Sequence, residues 1–347
     1  MQLLPLETSE HTHAIRPLLA VGSCVLAGPD QPAKGALTIF DIIPVVPEPD
    51  RPETGIQLHV LSREETKGAV TALAGFGGGF VGTAQGMKLM VRGLKEDGQC
   101  LPVAFLDAQC SATVLKTLGS TGLWLAGDIW KGVWFGGWTE EPFKLTLLGK
   151  SRSRMEVVAA EFLPTVQGEL YLMVVDGEAR LNVLQFDPEN PKSGSAGARL
   201  LERGSFMLGS LPTGMLLLPS TLKPIESAGL TNGHAAEQEQ QVFHVLIPAL
   251  DGSLSLLTPL SESSYRRVSA LQAQLTSSLE HAAGLNPRAF RDVQSEGGRG
   301  VVDGGVVQRL GELGFARRGE VLGRAGAGRG DTDAEVEVMG GAGLGYL

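Results

Sequence analysis

Residues 170–186 read LYLMVVDGEARLNVLQF, and this stretch decides the fold class. Leu170 to Val175 form an apolar run, Asp176-Gly177 follows, and Arg180 to Phe186 form a second run. Asp-Gly between two such runs predicts a β-hairpin, because the positive φ angles of tight turns suit these two residues. The first run is apolar at consecutive positions, which is typical of a strand buried on both faces. The stretch therefore predicts a hairpin inside a sheet that is covered on both sides.

The same hairpin pattern recurs along the chain. The other predicted strand pairs are 24–27 with 36–42, 80–84 with 87–94, 123–127 with 132–138, and 242–250 with 253–257. The turns at Gln85, Asp128 and Asp176 are spaced by roughly 45 residues, which is typical of β-propeller blades. We therefore predict a mainly β protein with a WD40-like β-propeller of about five blades. Five blades do not close a ring of roughly six to eight, so either the pattern hides further blades or the chain is a part of a longer polypeptide, which we expect.

The pattern becomes helical after Pro259. Ser261 is predicted to cap a helix whose apolar stripe is Val268, Leu271, Leu275 and Leu279. Asp303 is predicted to cap another, with Val306, Val307, Leu310 and Leu313 on one side. Asn286-Pro287 predicts a short helix between these two, and residues 331–339 predict one or two further turns. The glycines around these segments keep the helices short.

These changes of character divide the chain into two predicted domains. Residues 1–260 are predicted to form a partial propeller, and residues 261–347 a small α-helical domain with a Gly-rich tail. Residues 220–241 are polar and interrupt the hairpin spacing. They predict a surface insertion within the propeller.

Composition limits the function classes that fit the chain. The formal net charge of −9 argues against a protein built mainly to bind phosphate backbones, so RNA contact requires a local basic patch or a partner. Three cysteines without a CxxC pair argue against a disulfide framework or a structural zinc site. No apolar run reaches the roughly 18 residues that cross a bilayer, so we predict no membrane association.

No motif points to catalysis. Gly149-Lys150-Ser151 resembles the end of a phosphate-binding loop, but the glycine required five positions earlier is Lys144. His11 and His13 have no third metal ligand nearby in the sequence. We therefore predict a protein that is not an enzyme and has no catalytic residue, metal or cofactor. The alternative of a propeller enzyme requires clustered carboxylates or histidines at the axial mouth, and the sequence offers no obvious set.

Two kinds of residue are candidates for contact with RNA or a partner. Trp124, Trp130, Trp134 and Trp138 fall within about 15 residues, and core packing is favoured for them over a base-stacking platform. Trp130 lies in a predicted turn, so it is the tryptophan expected to be exposed and to anchor a partner.

The second kind of candidate is basic. Lys150, Arg152 and Arg154 alternate, so on a strand they would face one way, and Lys144 is near them in sequence. Arg266 and Arg267 form a lesser group at the start of the first predicted helix, where helix packing is the alternative role. In an acidic chain, a solvated surface is favoured over RNA contact for all six.

Longer stretches of the sequence resemble a known family. In chain order they cover almost the whole protein, and they resemble the large subunit of the cleavage and polyadenylation specificity factor in a fungal form. The related large subunits of a damaged-DNA-binding ubiquitin-ligase adaptor and of a splicing factor are similar at 67–70 and 127–128. The stretches that carry the resemblance are Phe40 to Pro52, Lys67 to Leu73, Met90 to Gly98, Lys131 to Ser153, Leu184 to Ser193 and Gly284 to Arg291.

The resemblance implies three propellers and a helical domain, of which this chain holds most of the third propeller and the tail. It implies a non-catalytic nuclear scaffold for pre-mRNA 3′-end cleavage and polyadenylation, with the endonuclease on another subunit. The implied partners are WD40-type and zinc-finger subunits, with weak or indirect RNA contact. The alternative is a ubiquitin-ligase adaptor or splicing-factor propeller of the same superfamily; co-purification of a cullin would identify the adaptor.

Overall fold

A computed structural model describes residues 1–9, 11–26, 28, 30–194, 197–220, 242–279 and 300–326. Within these ranges the chain forms nineteen strands in five sheets, followed by three α-helices. Strands that are consecutive in the chain are neighbours in each sheet, as in the blades of a propeller. The predicted mainly β, propeller-like class is confirmed.

The first compact unit comprises residues 1–160 and 187–201 and contains three four-stranded sheets. Their strands pair antiparallel in the orders β1-β2-β3-β4, β5-β6-β7-β8 and β9-β10-β11-β12. The strands are β1 (Gln2–Glu7), β2 (Ile15–Val25), β3 (Lys34–Pro44), β4 (Ile56–Thr66), β5 (Val70–Phe76), β6 (Phe80–Gln85), β7 (Lys88–Leu94), β8 (Cys100–Asp107), β9 (Ala112–Thr117), β10 (Leu123–Asp128), β11 (Gly132–Glu140) and β12 (Phe143–Lys150).

The second compact unit is assigned to residues 161–186 and 202–347. It holds most of a fourth sheet, a three-stranded fifth sheet and the helices. The remaining elements are β13 (Val157–Pro164), β14 (Leu170–Asp176), β15 (Arg180–Gln185), β16 (Leu201–Met207), β17 (Leu216–Ser220), β18 (Val242–Pro248), β19 (Leu254–Leu257), α1 (Glu262–Ser278), α2 (Gly304–Gln308) and α3 (Phe315–Ala325). The predicted boundary at residue 260 stays a prediction.

The second sheet is buried on both of its faces. One face packs on the first sheet, where Leu4, Leu18 and Ile39 meet Val81 and other buried apolar residues. The other face forms an apolar core with the third sheet, made of Ala74, Phe76, Ala84, Leu89, Val91, Ala112, Leu115, Trp124, Ala126, Trp134, Trp138 and Leu145. Burial of both faces explains why the strands of this sheet are apolar at consecutive positions.

The five predicted hairpins correspond to the second and third strands of the first four sheets and to β18–β19. The first one is longer than predicted, because β2 begins at Ile15 rather than at Cys24. The turn at Asp176-Gly177 also differs from the prediction, since the positive φ of 61° belongs to Ala179. Asp176 Oδ1 instead accepts hydrogen bonds from the amides of Glu178 and Arg180, so a longer turn is held by a side chain.

The helices follow the predicted caps. Ser261 Oγ accepts a hydrogen bond from the Ser264 amide at the start of α1, and Asp303 Oδ1 accepts one from the Gly305 amide at the start of α2. The predicted apolar stripes of both helices pack in one core with Val321 and Leu322 of α3. The helix α3 was not predicted from the sequence; it begins after Gly314 and ends before Gly326, whose left-handed conformation suits glycine. The predicted helices at 286–287 and 331–339 lie outside the described residues, and so does the predicted insertion at 220–241 except for Ser220, which ends β17.

Candidate docking surface at one end of the third sheet

The turn between β10 and β11 is built around a buried aspartate. Asp128 is 2% exposed, and its Oδ1 atom accepts hydrogen bonds from the amides of Trp130 at 2.7 Å and Lys131 at 2.9 Å. Gly132 closes the turn with a φ of 95°, a value that suits glycine. The backbone geometry of the turn thus depends on Asp128 and Gly132, and the side chains between them are free to serve another purpose.

Trp130 is the exposed tryptophan of the four, as predicted. Its side chain is 63% exposed, whereas Trp124, Trp134 and Trp138 are 0%, 5% and 6% exposed. The indole of Trp124 donates a hydrogen bond to the Gly137 carbonyl oxygen and lies in the core between the second and third sheets. Core packing therefore accounts for three tryptophans and leaves Trp130 at the surface.

Residues 151–155 lie directly against this turn. A Cβ atom placed on Gly132 would come within 2.2 Å of Ser151 Oγ and 3.1 Å of the Ser153 carbonyl oxygen. Ser151 Oγ accepts a hydrogen bond from the Val133 amide at 3.0 Å and donates one to the Ser153 carbonyl at 3.0 Å. β12 ends at Lys150, so the prediction that Arg152 and Arg154 continue a strand is wrong. Both arginines are nevertheless exposed beside the Asp128–Gly132 turn.

Lys150 joins this end of the sheet to a further segment. Its Nζ atom lies 4.6 Å from the centroid of the Trp134 ring, a cation–π contact. The Lys150 amide donates a hydrogen bond to the Ala198 carbonyl oxygen at 2.9 Å, and the Lys150 carbonyl oxygen accepts one from the Leu200 amide at 2.8 Å. These bonds place exposed Arg199 opposite Lys150 in a parallel bridge.

Five cations and one indole are therefore gathered at this end, and we call them the basic rim: Lys131, Lys150, Arg152, Arg154, Arg199 and Trp130. In the part of the chain that the structure describes, none of the five cations makes a salt bridge. The exposed acid in the same segment is Glu156. The basic rim is thus a local positive surface on a chain whose formal charge is −9.

Lys144 does not belong to the basic rim. It pairs with Thr139 at the start of β12, about 20 Å from Lys150 for a strand that rises about 3.3 Å per residue. The prediction that these two lysines form one patch is therefore wrong, because an extended strand separates residues that are close in sequence. Phe143, which precedes Lys144, lies in an aromatic group: its ring centroid is 5.4 Å from that of Phe80 and 6.0 Å from that of Trp138.

Arg266 and Arg267 lie on α1, in the second compact unit. Arg266 forms an ion pair with Glu262 one helical turn earlier. Arg267 is half-buried and donates a hydrogen bond to Ser264 Oγ at 3.4 Å. Both therefore interact with residues of their own helix, and the expectation that they pack this helix onto the propeller stays a prediction.

Titratable groups elsewhere are dispersed. No three His, Cys, Asp or Glu side chains in the described ranges are arranged to hold a metal ion. His13 pairs with Glu7 at 2.7 Å. Burial raises the pKa of the Cys100 thiol to about 12 and lowers the pKa of His244. No helix in the described part of the chain has the length and apolar character to cross a membrane.

Two members of the basic rim, Lys131 and Arg199, were not predicted from the sequence. Lys131 directly follows Trp130, so its place in the same turn was a usable signal. Arg199 gave no signal, because its position depends on the bonds between residues 198–200 and Lys150 across about 50 residues of chain. Such a contact can be found only in the folded structure.

Comparison with known proteins gives consistent matches. The family profile described as CPSF A subunit region matches residues 1–312. Protein cft1 of Aspergillus fumigatus is 48% identical over 99% of this chain and 25% of its own length. Protein CFT1 of Coccidioides immitis is 45% identical over 100% of this chain and 25% of its own length. Protein cft1 of Schizosaccharomyces pombe is 35% identical over 93% of this chain and 22% of its own length. The chain spans about a quarter of the length of the curated relatives it matches.

Proposed function

This chain belongs to the CPSF A subunit family, and we propose on that basis that it is a non-catalytic scaffold in pre-mRNA 3′-end cleavage and polyadenylation. Membership confirms the resemblance carried by stretches such as Phe40 to Pro52 and Lys131 to Ser153. The proposed site of action is the nucleus. The proposed partners are the WD40-type and zinc-finger subunits of the same complex, with RNA contacted weakly or through them.

The observation that best supports a scaffold is the burial of the second sheet on both faces. When each face of a sheet is covered by a neighbouring sheet, the side chains left for function lie on turns and outer edges. Turns and edges provide convex surfaces on which other proteins dock, whereas enzymes need convergent groups in a concave site. The basic rim is such a turn surface.

Affinity purification of the tagged chain from a fungal nuclear extract, followed by quantitative mass spectrometry, tests this proposal. We expect enrichment of the WD40-type and zinc-finger polyadenylation subunits relative to a tag-only control, and nuclear fluorescence of the tagged chain. Enrichment of a cullin in their place would identify a ubiquitin-ligase adaptor, and enrichment of splicing subunits would identify a splicing-factor propeller. Either result would overturn the proposal.

A further inference from the structure

We propose that the basic rim is a binding site for single-stranded RNA, in which the Trp130 indole stacks on a base and the surrounding cations bind phosphates. This inference rests on the proposed function, because a role in pre-mRNA processing makes RNA the relevant polyanion. It goes further in naming a direct RNA site and the residues that form it.

The exposure of Trp130 is the first argument. A large apolar ring that is 63% exposed contributes little to folding, and the turn that carries it is held by Asp128 and Gly132. The three other tryptophans show that this region has space to bury indoles in its core. Flat aromatic rings exposed beside cations are the platform on which single-stranded nucleic acids stack their bases.

The unpaired charge is the second argument. Arg152, Arg154 and Arg199 are exposed and make no salt bridge with any residue that the structure describes. Elsewhere exposed arginines are often paired, as Arg16 is with Asp41 at 3.1 Å and Arg324 is with Glu320 at 2.6 Å. Planar guanidinium groups bind phosphate oxygens in two-point contacts, so unpaired arginines suit a phosphate backbone.

The arrangement of the two kinds of group is the third argument. The Asp128–Gly132 turn and residues 151–155 are in direct contact, so the indole and the two arginines project from adjacent backbone segments. A bound strand can therefore meet phosphate-binding and base-stacking groups within a few nucleotides. An acidic peptide would use the same cations but would gain little from the indole, and for this reason we favour RNA.

The first experiment measures affinity by charge reversal. Fluorescence anisotropy of a labelled oligouridine of about 15 nucleotides is recorded with the purified 347-residue chain between about 50 and 200 mM salt. We expect Arg152→Glu/Arg154→Glu to weaken binding at least about tenfold at the lowest salt and to flatten the salt dependence of log K by about one. The matched control is Lys95→Glu/Lys144→Glu, which makes the same charge change at exposed lysines outside the basic rim. Equal losses in the two variants, or no loss in the first, would overturn the proposal.

The second experiment measures stacking. Because Trp130 is the exposed tryptophan of four, base stacking should quench its emission, and Trp130→Phe should remove the quenching while retaining most of the affinity. Trp130→Ala should weaken binding about fivefold or more. If a glutamate-rich peptide of equal charge binds as tightly as RNA and RNA leaves Trp130 emission unchanged, the site is one for acidic peptides and the RNA assignment is wrong.

The two proposals fail in distinguishable ways, since RNA binding is measured on the purified chain without partners. A chain that binds RNA through the basic rim but purifies with a cullin would contradict the proposed function alone. A chain that purifies with polyadenylation subunits but binds RNA equally well after Arg152→Glu/Arg154→Glu would contradict the RNA site alone.

Discussion

The two ends of the third sheet differ in what they do with large side chains. At the Lys144 end, Trp138 is 6% exposed and packs edge-on against Phe76 and Phe80 at centroid distances of 5.8 and 5.6 Å. At the Lys150 end, Trp130 stands in solvent beside cations without salt bridges in the described part of the chain. The Lys144 end packs Trp138 in the core, whereas the Lys150 end buries Trp134 and also exposes Trp130.

This difference shows that the aromatic residues of one hairpin can have opposite roles. Trp134 and Trp138 of β11 pack in the core, whereas the side chain of Trp130, in the turn before β11, is exposed to solvent. Stability should therefore depend on the Lys144 end, and binding should depend on the basic rim. The following substitutions test this separation.

The largest expected effect comes from truncating a tryptophan at the closed end. Trp138→Ala should lower the free energy of unfolding by about 3–5 kcal/mol, because it leaves a cavity against Phe76, Phe80 and Phe143. Trp130→Ala is the control and should change it by less than about 0.5 kcal/mol. Urea denaturation followed by circular dichroism measures both, and similar losses in the two variants would contradict the comparison.

Two adjacent glycines give a sharper test in the core strand of the same sheet. A Cβ on Gly136 would meet the Trp124 ring at 2.1 Å and the Thr146 carbonyl oxygen at 2.3 Å, so Gly136→Ala should cost about 1–3 kcal/mol or more. A Cβ on Gly137 would meet only Leu148 Cδ1, at 3.8 Å. Gly137→Ala should therefore be neutral or stabilise by up to about 1 kcal/mol. Urea denaturation measures the free energy of unfolding of both variants. A larger loss for Gly137→Ala than for Gly136→Ala would contradict the packing described for this strand.

Lys150 belongs to the basic rim and also contacts the buried Trp134 ring. Its substitution should lower the free energy of unfolding by less than that of Trp138 or Gly136. Lys150→Met keeps the length of the side chain but removes the charge over the Trp134 ring, so it should cost about 0.5–1 kcal/mol. Lys144→Met is the matched control and should have no measurable effect, because Lys144 is exposed at the other end of β12. Thermal unfolding at low and high salt would record the difference. An equal loss in both variants would argue against the cation–π contact.

The smallest effect concerns ions rather than stability. Local positive charge should concentrate iodide near Trp130 and repel caesium, so iodide should quench the exposed tryptophan more strongly than caesium does. Arg152→Glu/Arg154→Glu should reduce the ratio of iodide to caesium quenching, while Lys95→Glu/Lys144→Glu should preserve it. Stern–Volmer plots at constant ionic strength give the measurement. Equal quenching by both ions in the unmodified chain would show that the field at the basic rim is weak.

The sequence predicted best those strands whose burial is complete. β10, β11 and β14 are largely apolar on both faces, so they stand out in a single sequence with their turns. Outer strands such as β4 expose most of their side chains and carry a mixed pattern that has no clear period. The helix α3 has Gly314 and Gly326 at its ends, but the surrounding glycines conceal those signals.

The candidate site could be predicted only in part, for a geometric reason. Trp130, Arg152 and Arg154 were found because a turn and an exposed loop keep neighbours in sequence close in space. Lys144 was wrongly included because β12 carries it to the far end of the sheet, and Arg199 was missed because residues 187–201 return to β12 from a distant point in the chain.

The second sheet also contains a charge that limits how the sheets can be arranged. Arg92 of β7 is 1% exposed; it donates hydrogen bonds to Thr83 Oγ1 and Gln85 Oε1, and its Nε lies 2.8 Å from Glu64 Oε2 of β4 in the first sheet. The alignment of the Nε–Oε2 contact is too poor for a hydrogen bond, so Arg92 and Glu64 form an ion pair that adds to the apolar contact between the two sheets. A misfolded arrangement with a different sheet packed beside β7 would leave the Arg92 guanidinium buried without a counterion, and this would cost several kcal/mol. The Arg92–Glu64 pair therefore favours packing of the second sheet on the first over packing on another sheet with a similar apolar surface.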